Sequence, residues 1–117
     1  MRLVARYGQG WATTGDPNRD EGTDWWTALA GVCDRFTDVL AENGRDLSTV
    51  DRYLQLDAGP GFSMSSVECF RDAVGRAAEL GFTDVVTHWP RPDGPYAGSE
   101  QTLEAVVAEA LPECASL

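Results

Sequence analysis

Residues 50–88 read VDRYLQLDAGPGFSMSSVECFRDAVGRAAELGFTDVVTH, and their pattern indicates the fold class. Residues 50–57 combine strand-forming side chains with partial alternation, and residues 82–88 carry the adjacent valines expected of a strand covered on both faces. Between them, apolar residues recur at helical spacing over residues 66–80, and Gly81 ends that helix. A strand, a helix and a second strand in this order predict a parallel pair joined by a right-handed crossover.

The same alternation extends towards the N-terminus. An amphipathic helix is predicted over residues 24–43, with Thr23 or Asp24 accepting from its first free N–H groups and Gly44 closing its end. A shorter strand is predicted over residues 10–13.

Helix boundaries are also encoded in the second half of the chain. Ser65 and Glu68 have the spacing of a capping box for the helix over residues 66–80. A further helix begins after Ser99 and is expected to end at Pro112. Its predicted buried residues are Leu103, Val106, Val107, Ala110 and Leu111.

The order of these elements predicts the fold class. Residues 3–7 resemble the last turns of a helix that Gly8 ends, and three strand–helix units follow. We therefore expect an α/β protein with about three parallel strands, each followed by a helix, in one domain spanning residues 1–117.

Composition excludes several classes of partner. Acidic residues outnumber basic ones 19 to 9, giving a net charge of -10 that would repel nucleic acid. The longest apolar runs are far shorter than the roughly 20 residues that span a bilayer. The first residues lack an apolar signal segment, so we expect a soluble, cytoplasmic protein.

The cysteines do not form a recognisable framework. Cys33, Cys69 and Cys114 are odd in number and widely spaced, which argues against a disulfide network or a zinc site. Cys33 and Cys69 fall on or beside apolar helix faces, whereas Cys114 lies beyond Pro112. We expect only Cys114 to react quickly with alkylating reagents.

Ligand-binding residues are expected where the strands end. The loops over residues 14–22, 58–62 and 91–98 are rich in turn-forming residues, and each follows a predicted strand. In parallel α/β proteins such loops build the ligand site.

Four residues at these strand ends are candidate site residues. His88, the only histidine, can form hydrogen bonds and titrates near neutrality, or else it bonds a neighbouring loop. Arg91, between two prolines, can present its guanidinium to a phosphate or carboxylate, or is a solvated loop cation. Trp11 can line a site or pack in the core, and Thr13 can supply a hydroxyl. No catalytic residue is identified.

A metal site is not predicted. The acidic residues of the first loop lack the fixed spacing of a calcium-binding loop, and a solvated loop explains them better. These residues are Asp16, Asp20, Glu21 and Asp24.

Three further segments carry a resemblance to a known family. Residues 2–11 read RLVARYGQGW, the first long helix is followed by Gly44-Arg45-Asp46, and residues 79–86 read ELGFTDVV. In order and spacing they resemble the last third of luciferase-like monooxygenases, with Gln9 where an acidic residue is common. The likeness spans essentially the whole chain.

This resemblance implies a partial β/α barrel of the TIM type and a flavin- or deazaflavin-dependent oxidoreductase that transfers hydride through a reduced flavin. It implies FMN or the deazaflavin coenzyme F-420 as cofactor, bound weakly or not at all by the isolated chain, with Trp11, Thr13, His88 and Arg91 as its contacts. A complete barrel has eight strands, and the earlier strands would lie upstream of Met1. Expected partners are a small-molecule substrate and either further copies or a complementing barrel segment. The alternative is a non-catalytic remnant that acts as a small binding or oligomerisation module.

Overall fold

Three parallel strands form the centre of the computed structural model, which describes residues 8–16, 18–19 and 22–114. Strand β1 spans Gly10–Thr13, β2 spans Asp51–Gln55 and β3 spans Asp84–Val86. Strand β2 lies in the middle and pairs with both neighbours in parallel. The α/β class and the parallel pairing predicted from the sequence are therefore confirmed. The helix predicted over residues 3–7 lies outside the described residues.

The helices connect and follow these strands. Helix α1 (Trp25–Glu42) joins β1 to β2, and α2 (Val67–Glu79) joins β2 to β3. After β3 come α3 (Glu100–Ala105), a π-helical turn (Val106–Ala110) and α4 (Leu111–Cys114). Short 3₁₀ turns occupy Leu47–Thr49, Leu56–Ala58 and Ser63–Ser65. None of the helices in the described ranges is long and apolar enough to cross a membrane.

Local hydrogen bonds set both ends of α1. The Asp24 carboxylate accepts from the backbone N–H of Thr27 at 3.1 Å, which satisfies one of the free donors of the first turn. Gly44 follows the helix with φ of 68°, a left-handed conformation that favours glycine. Both predicted boundaries are confirmed.

The predicted capping box of α2 is wrong by one residue. Ser65 belongs to a 3₁₀ turn, so Ser66 is the N-cap and accepts from the N–H of Cys69 at 3.0 Å. Glu68 is thereby the second helical residue and cannot close a capping box. It instead forms an ion pair with Arg71 at 3.1 Å.

The predicted end of the last helix at Pro112 is also wrong, because the chain remains helical to Cys114. The N–H of Leu111 bonds to the carbonyl of Val106, which makes a wide turn just before the proline. This widening relieves the clash that a proline ring makes with the carbonyl one turn earlier. It also changes which residues of the helix face the core. Val107 and Leu111 are predicted to be buried, but they are 53% and 45% exposed.

The core lies between one face of the sheet and the helices. Trp11, Leu54 and Val85 lie on this face, and the Trp11 ring stacks on Phe36 of α1 with ring centroids 4.2 Å apart. From α2, Phe70 packs into the same core. Two successive right-handed crossovers in the same direction put both helices on one side of the sheet, which explains this arrangement.

The opposite face of the sheet is uncovered by the described residues. Ala12, Tyr53 and Val86 lie there and are exposed, as are Asp51 and Asp84. The prediction that the valine pair of β3 is covered on both faces is therefore wrong, since Val86 is 40% exposed. Only Val85 lies on the face that the helices cover.

We predict that this uncovered face promotes self-association, because parallel sheets are normally covered on both sides. At micromolar concentration, light scattering should detect dimers or larger species. Tyr53→Asp should shift the population towards monomer by placing a charge in the contact. Val107→Asp, which changes an exposed apolar residue elsewhere, is the control. A monodisperse wild-type monomer would contradict the prediction.

Candidate functional site

The carboxyl edge of the sheet gathers polar groups from two neighbouring strands. The chain leaves β2 through a 3₁₀ turn that contains Asp57, and it leaves β3 through Thr87 and His88. Because β2 and β3 are parallel and paired, these two exits lie side by side. Asp57 therefore contacts Thr87 and His88 directly, although 30 or 31 positions separate them in the sequence.

Asp57 is the centre of this cluster. Its side chain is 0% exposed, and each carboxylate oxygen accepts a hydrogen bond from the surrounding backbone. The N–H of Ser63 donates to Oδ1 at 2.8 Å. On Oδ2, the N–H of His88 donates at 2.6 Å and the Thr87 hydroxyl at 2.9 Å. Nδ1 of the His88 ring lies 3.2 Å from Oδ2, so four groups contact the carboxylate.

These hydrogen bonds decide the charge state of Asp57. Burial alone would raise the pKa of its carboxyl group, but the donors from Ser63, His88 and Thr87 outweigh burial and hold the pKa below its usual value. Asp57 is consequently an ionised carboxylate at neutral pH.

Within the described part of the chain, one ring nitrogen of His88 has a hydrogen-bond partner and the other has none. Nδ1 lies 3.2 Å from Oδ2 of Asp57, and the side chain is 43% exposed. The imidazole stacks on the Tyr96 ring at a centroid distance of 3.9 Å and an interplanar angle of 4°. Since an ionised carboxylate only accepts, the proton of the neutral ring belongs on Nδ1, which makes Nε2 an acceptor.

The loop over residues 91–98 brings Tyr96 to this position. The N–H of Arg91 donates to the carbonyl of Tyr96 at 2.9 Å, and the N–H of Gly98 donates to the carbonyl of Arg91 at 3.0 Å. Gly94 makes the turn with φ of 84°. The ring centroid of Phe62, from the loop after β2, lies 5.8 Å from that of Tyr96. Two strand exits therefore share one aromatic contact.

The four residues predicted from the sequence have different environments. His88 and Arg91 both belong to the segment that follows β3, and Arg91 is exposed. The Thr13 hydroxyl bonds to the backbone of Gly15 at 3.1 and 3.3 Å within its own turn. Trp11 is 8% exposed, and its ring is packed against Phe36 in the core.

Sequence reasoning missed Asp57, Ser63, Thr87 and Tyr96. Asp57 had a usable signal, because it directly follows a predicted strand at the edge where ligands bind. Tyr96 had none, since its position depends on how the loop over residues 91–98 closes.

The residues at this edge fit only part of a flavin site. An exposed guanidinium, an imidazole and an aromatic pair could contact a phosphate and a flat ring. However, a cavity of about 170 Å³ near this edge is lined in part by Leu56, Phe62 and Ser63, and His88 does not line it. That cavity therefore does not place a flavin ring against the imidazole. The described residues also contain no cluster of three or more His, Cys, Asp or Glu side chains that could hold a metal ion.

The three thiols have different environments. Burial, with a contribution from the charge of Asp34, raises the pKa of Cys33 to about 11. Hydrogen bonds from Ser65 and Ser66 lower the pKa of Cys69, which is exposed. Cys114 is only partly exposed and donates to the carbonyl of Ala110 at 3.3 Å.

Comparison with known proteins finds no relative of the chain. No family model matches it, no curated protein matches it, and no solved structure matches it. The resemblance to luciferase-like monooxygenases therefore stays a prediction from the sequence.

We predict that Asp57 makes the protein sensitive to acid. The folded-state pKa of Asp57 lies below its unfolded value of about 3.9. Its stabilisation is therefore complete above that value and is lost as the pH falls through the folded pKa. Asp57→Asn should lower the free energy of unfolding at neutral pH by about 1 to 3 kcal/mol and flatten its fall below about pH 4, measured by urea denaturation. Asp93→Asn, in an exposed loop, should change neither.

We predict that Cys69, and not Cys114, reacts first with iodoacetamide. The pKa of Cys69 is lowered whereas that of Cys33 is raised to about 11, so at pH 8 a larger fraction of Cys69 is the reactive thiolate. Cys69 is also exposed, whereas Cys114 is only partly exposed. Mass mapping of the native protein after short exposure measures the order. Labelling of Cys33 as fast as Cys69 would show that α1 does not bury Cys33 as described.

Proposed function

We propose that the chain forms part of the ligand-binding edge of a luciferase-like, flavin- or deazaflavin-dependent oxidoreductase. The observation that carries this proposal is the gathering of Asp57, His88 and Tyr96 at the carboxyl edge of paired parallel strands. In β/α barrels the carboxyl ends of the strands hold the cofactor and substrate. The resemblance of residues 2–11 and 79–86 to the last third of that family points to the same edge.

The uncovered sheet face supports the barrel interpretation. In a closed β/α barrel, helices cover the outside and side chains from all strands fill the inside. The described sheet has helices on one face and exposes Tyr53 and Val86 on the other. Further parallel strands beside β1 and β3 would enclose both residues and add walls next to His88.

Arg91 is the residue at this edge best suited to an anionic cofactor. A flavin phosphate carries negative charge, and a chain of net charge -10 repels it unless a local cation compensates. The guanidinium of Arg91 is exposed and follows the exit of β3. Its backbone is held by two hydrogen bonds within the loop over residues 91–98, which reduces the entropy lost on binding.

We predict weak cofactor binding by the chain alone. The affinity for FMN or coenzyme F-420 should be millimolar to high micromolar, about 4 to 6 kcal/mol, and should rise when a polypeptide with the first five βα units of a related barrel is supplied. Arg91→Ala should then weaken binding more than Arg19→Ala, its matched control in the loop after β1. Fluorescence titration measures both. Equal effects, or no flavin binding by the complemented barrel, would contradict the proposal.

A second candidate function is a non-catalytic binding or oligomerisation module. The uncovered face, with Tyr53 and Val86 exposed, favours it, because exposed apolar sheet surfaces commonly form contacts with other chains. The two functions differ in cofactor retention. A yellow or fluorescent complemented barrel supports the oxidoreductase, whereas a colourless assembly supports the module.

A further inference from the structure

We propose that Asp57 and His88 form a proton-transfer pair, in which Nε2 of His88 takes a proton from the hydroxyl group of a neutral small molecule bound at the carboxyl edge. Asp57 acts as a positioning residue and His88 as the group that contacts the substrate. This proton transfer does not depend on which cofactor, if any, the protein uses.

Asp57 is held too firmly to reorient. Its Oδ1 is bonded to the Ser63 N–H and its Oδ2 to the Thr87 hydroxyl, at 2.8 and 2.9 Å. The hydroxyls of Ser63 and Thr87 are themselves 2.5 Å apart, which fixes the group that donates to Oδ2. A side chain with 0% exposure and this many donors is a rigid acceptor.

His88 is fixed by three contacts. Its backbone N–H and its ring Nδ1 both approach the same Oδ2 of Asp57, at 2.6 and 3.2 Å. The Tyr96 ring lies parallel to the imidazole, which sets the plane of the ring. Together these contacts define where Nε2 lies, and general acid–base catalysis requires such a fixed position.

Nε2 is left open for a ligand. Across the described ranges, no protein group forms a hydrogen bond with it, and 43% of the His88 side chain is accessible. A histidine that merely ties two loops together would need only Nδ1. Here the nitrogen that remains is an acceptor on the same edge as the loops that leave β2 and β3.

The proton transfer breaks one bond and forms one bond. The O–H bond of the substrate breaks, its proton bonds to Nε2, and the electron pair stays on the substrate oxygen. The imidazolium that results carries a positive charge next to the Asp57 carboxylate, which stabilises it. The reverse transfer returns the proton. A neutral substrate is favoured because the chain's net charge of -10 repels anions.

The single histidine makes a direct test possible, because every imidazole signal comes from His88. Long-range ¹H–¹⁵N spectra of the neutral ring at about pH 9 distinguish a proton on Nδ1 from one on Nε2. We expect the proton on Nδ1 in the native protein. A proton on Nε2 would overturn the proposal, because the acceptor would then be the nitrogen facing Asp57.

Carbethoxylation by diethyl pyrocarbonate provides the second measurement, since Nε2 attacks the reagent as imidazolium charge develops. Native protein should react about tenfold faster than the same chain unfolded in urea, where His88 has no carboxylate partner. Asp57→Asn should lose this advantage and its preference for Nδ1–H, whereas Asp93→Asn should keep both. If Asp57→Asn does not fold, the comparison of native with unfolded wild-type protein decides. A native rate no higher than the unfolded rate would show that the contact is only structural.

Discussion

Parallel pairing of β1, β2 and β3 fixes where the helices pack and where the polar side chains meet. A parallel pair cannot be joined by a tight turn, so α1 and α2 must carry the chain back across the sheet. Because both crossovers run in the same direction, both helices cover the same face. The stack of Trp11 on Phe36, at 4.2 Å, lies in the layer that this geometry creates.

The same constraint places polar chemistry at one edge. Strands that run in parallel end together, so the turn after β2 and the segment after β3 meet although 31 residues separate Asp57 from His88. The buried carboxylate is tolerated there because four groups donate to it, which more than offsets the cost of burial. The Asp57 side chain is removed from water whereas 43% of the His88 side chain is exposed, so the two polar groups of this edge have different environments.

One-sided coverage links the fold to the proposed functions. Among the described residues, the helices cover a single face of the parallel sheet, so that Tyr53 and Val86 are exposed on the other face and His88 is exposed at the carboxyl edge. Further βα units would cover the exposed face and add walls beside His88, as the barrel proposal requires. Association with another chain through the same face would cover Tyr53 without enclosing His88, as the module proposal requires.

The order of helices and strands, their parallel pairing and the ends of α1 at Asp24 and Gly44 could all be predicted from the sequence. These features follow from local spacing and from short-range hydrogen bonds, which the chain carries wherever it folds. The sequence also indicated the strand-exit edge and, within it, His88 and Arg91.

Which side chains meet at that edge, and which are buried, could not be predicted in the same way. Trp11 lies on the side of β1 that faces the helices and packs in the core. Asp57 contacts His88 although the two residues belong to distant segments of the chain. The wide turn before Pro112 rotated Val107 out of the core, a change that regular helical spacing does not predict. In each case the position of the side chain depends on packing between elements far apart in the chain, which the local spacing of residues does not predict.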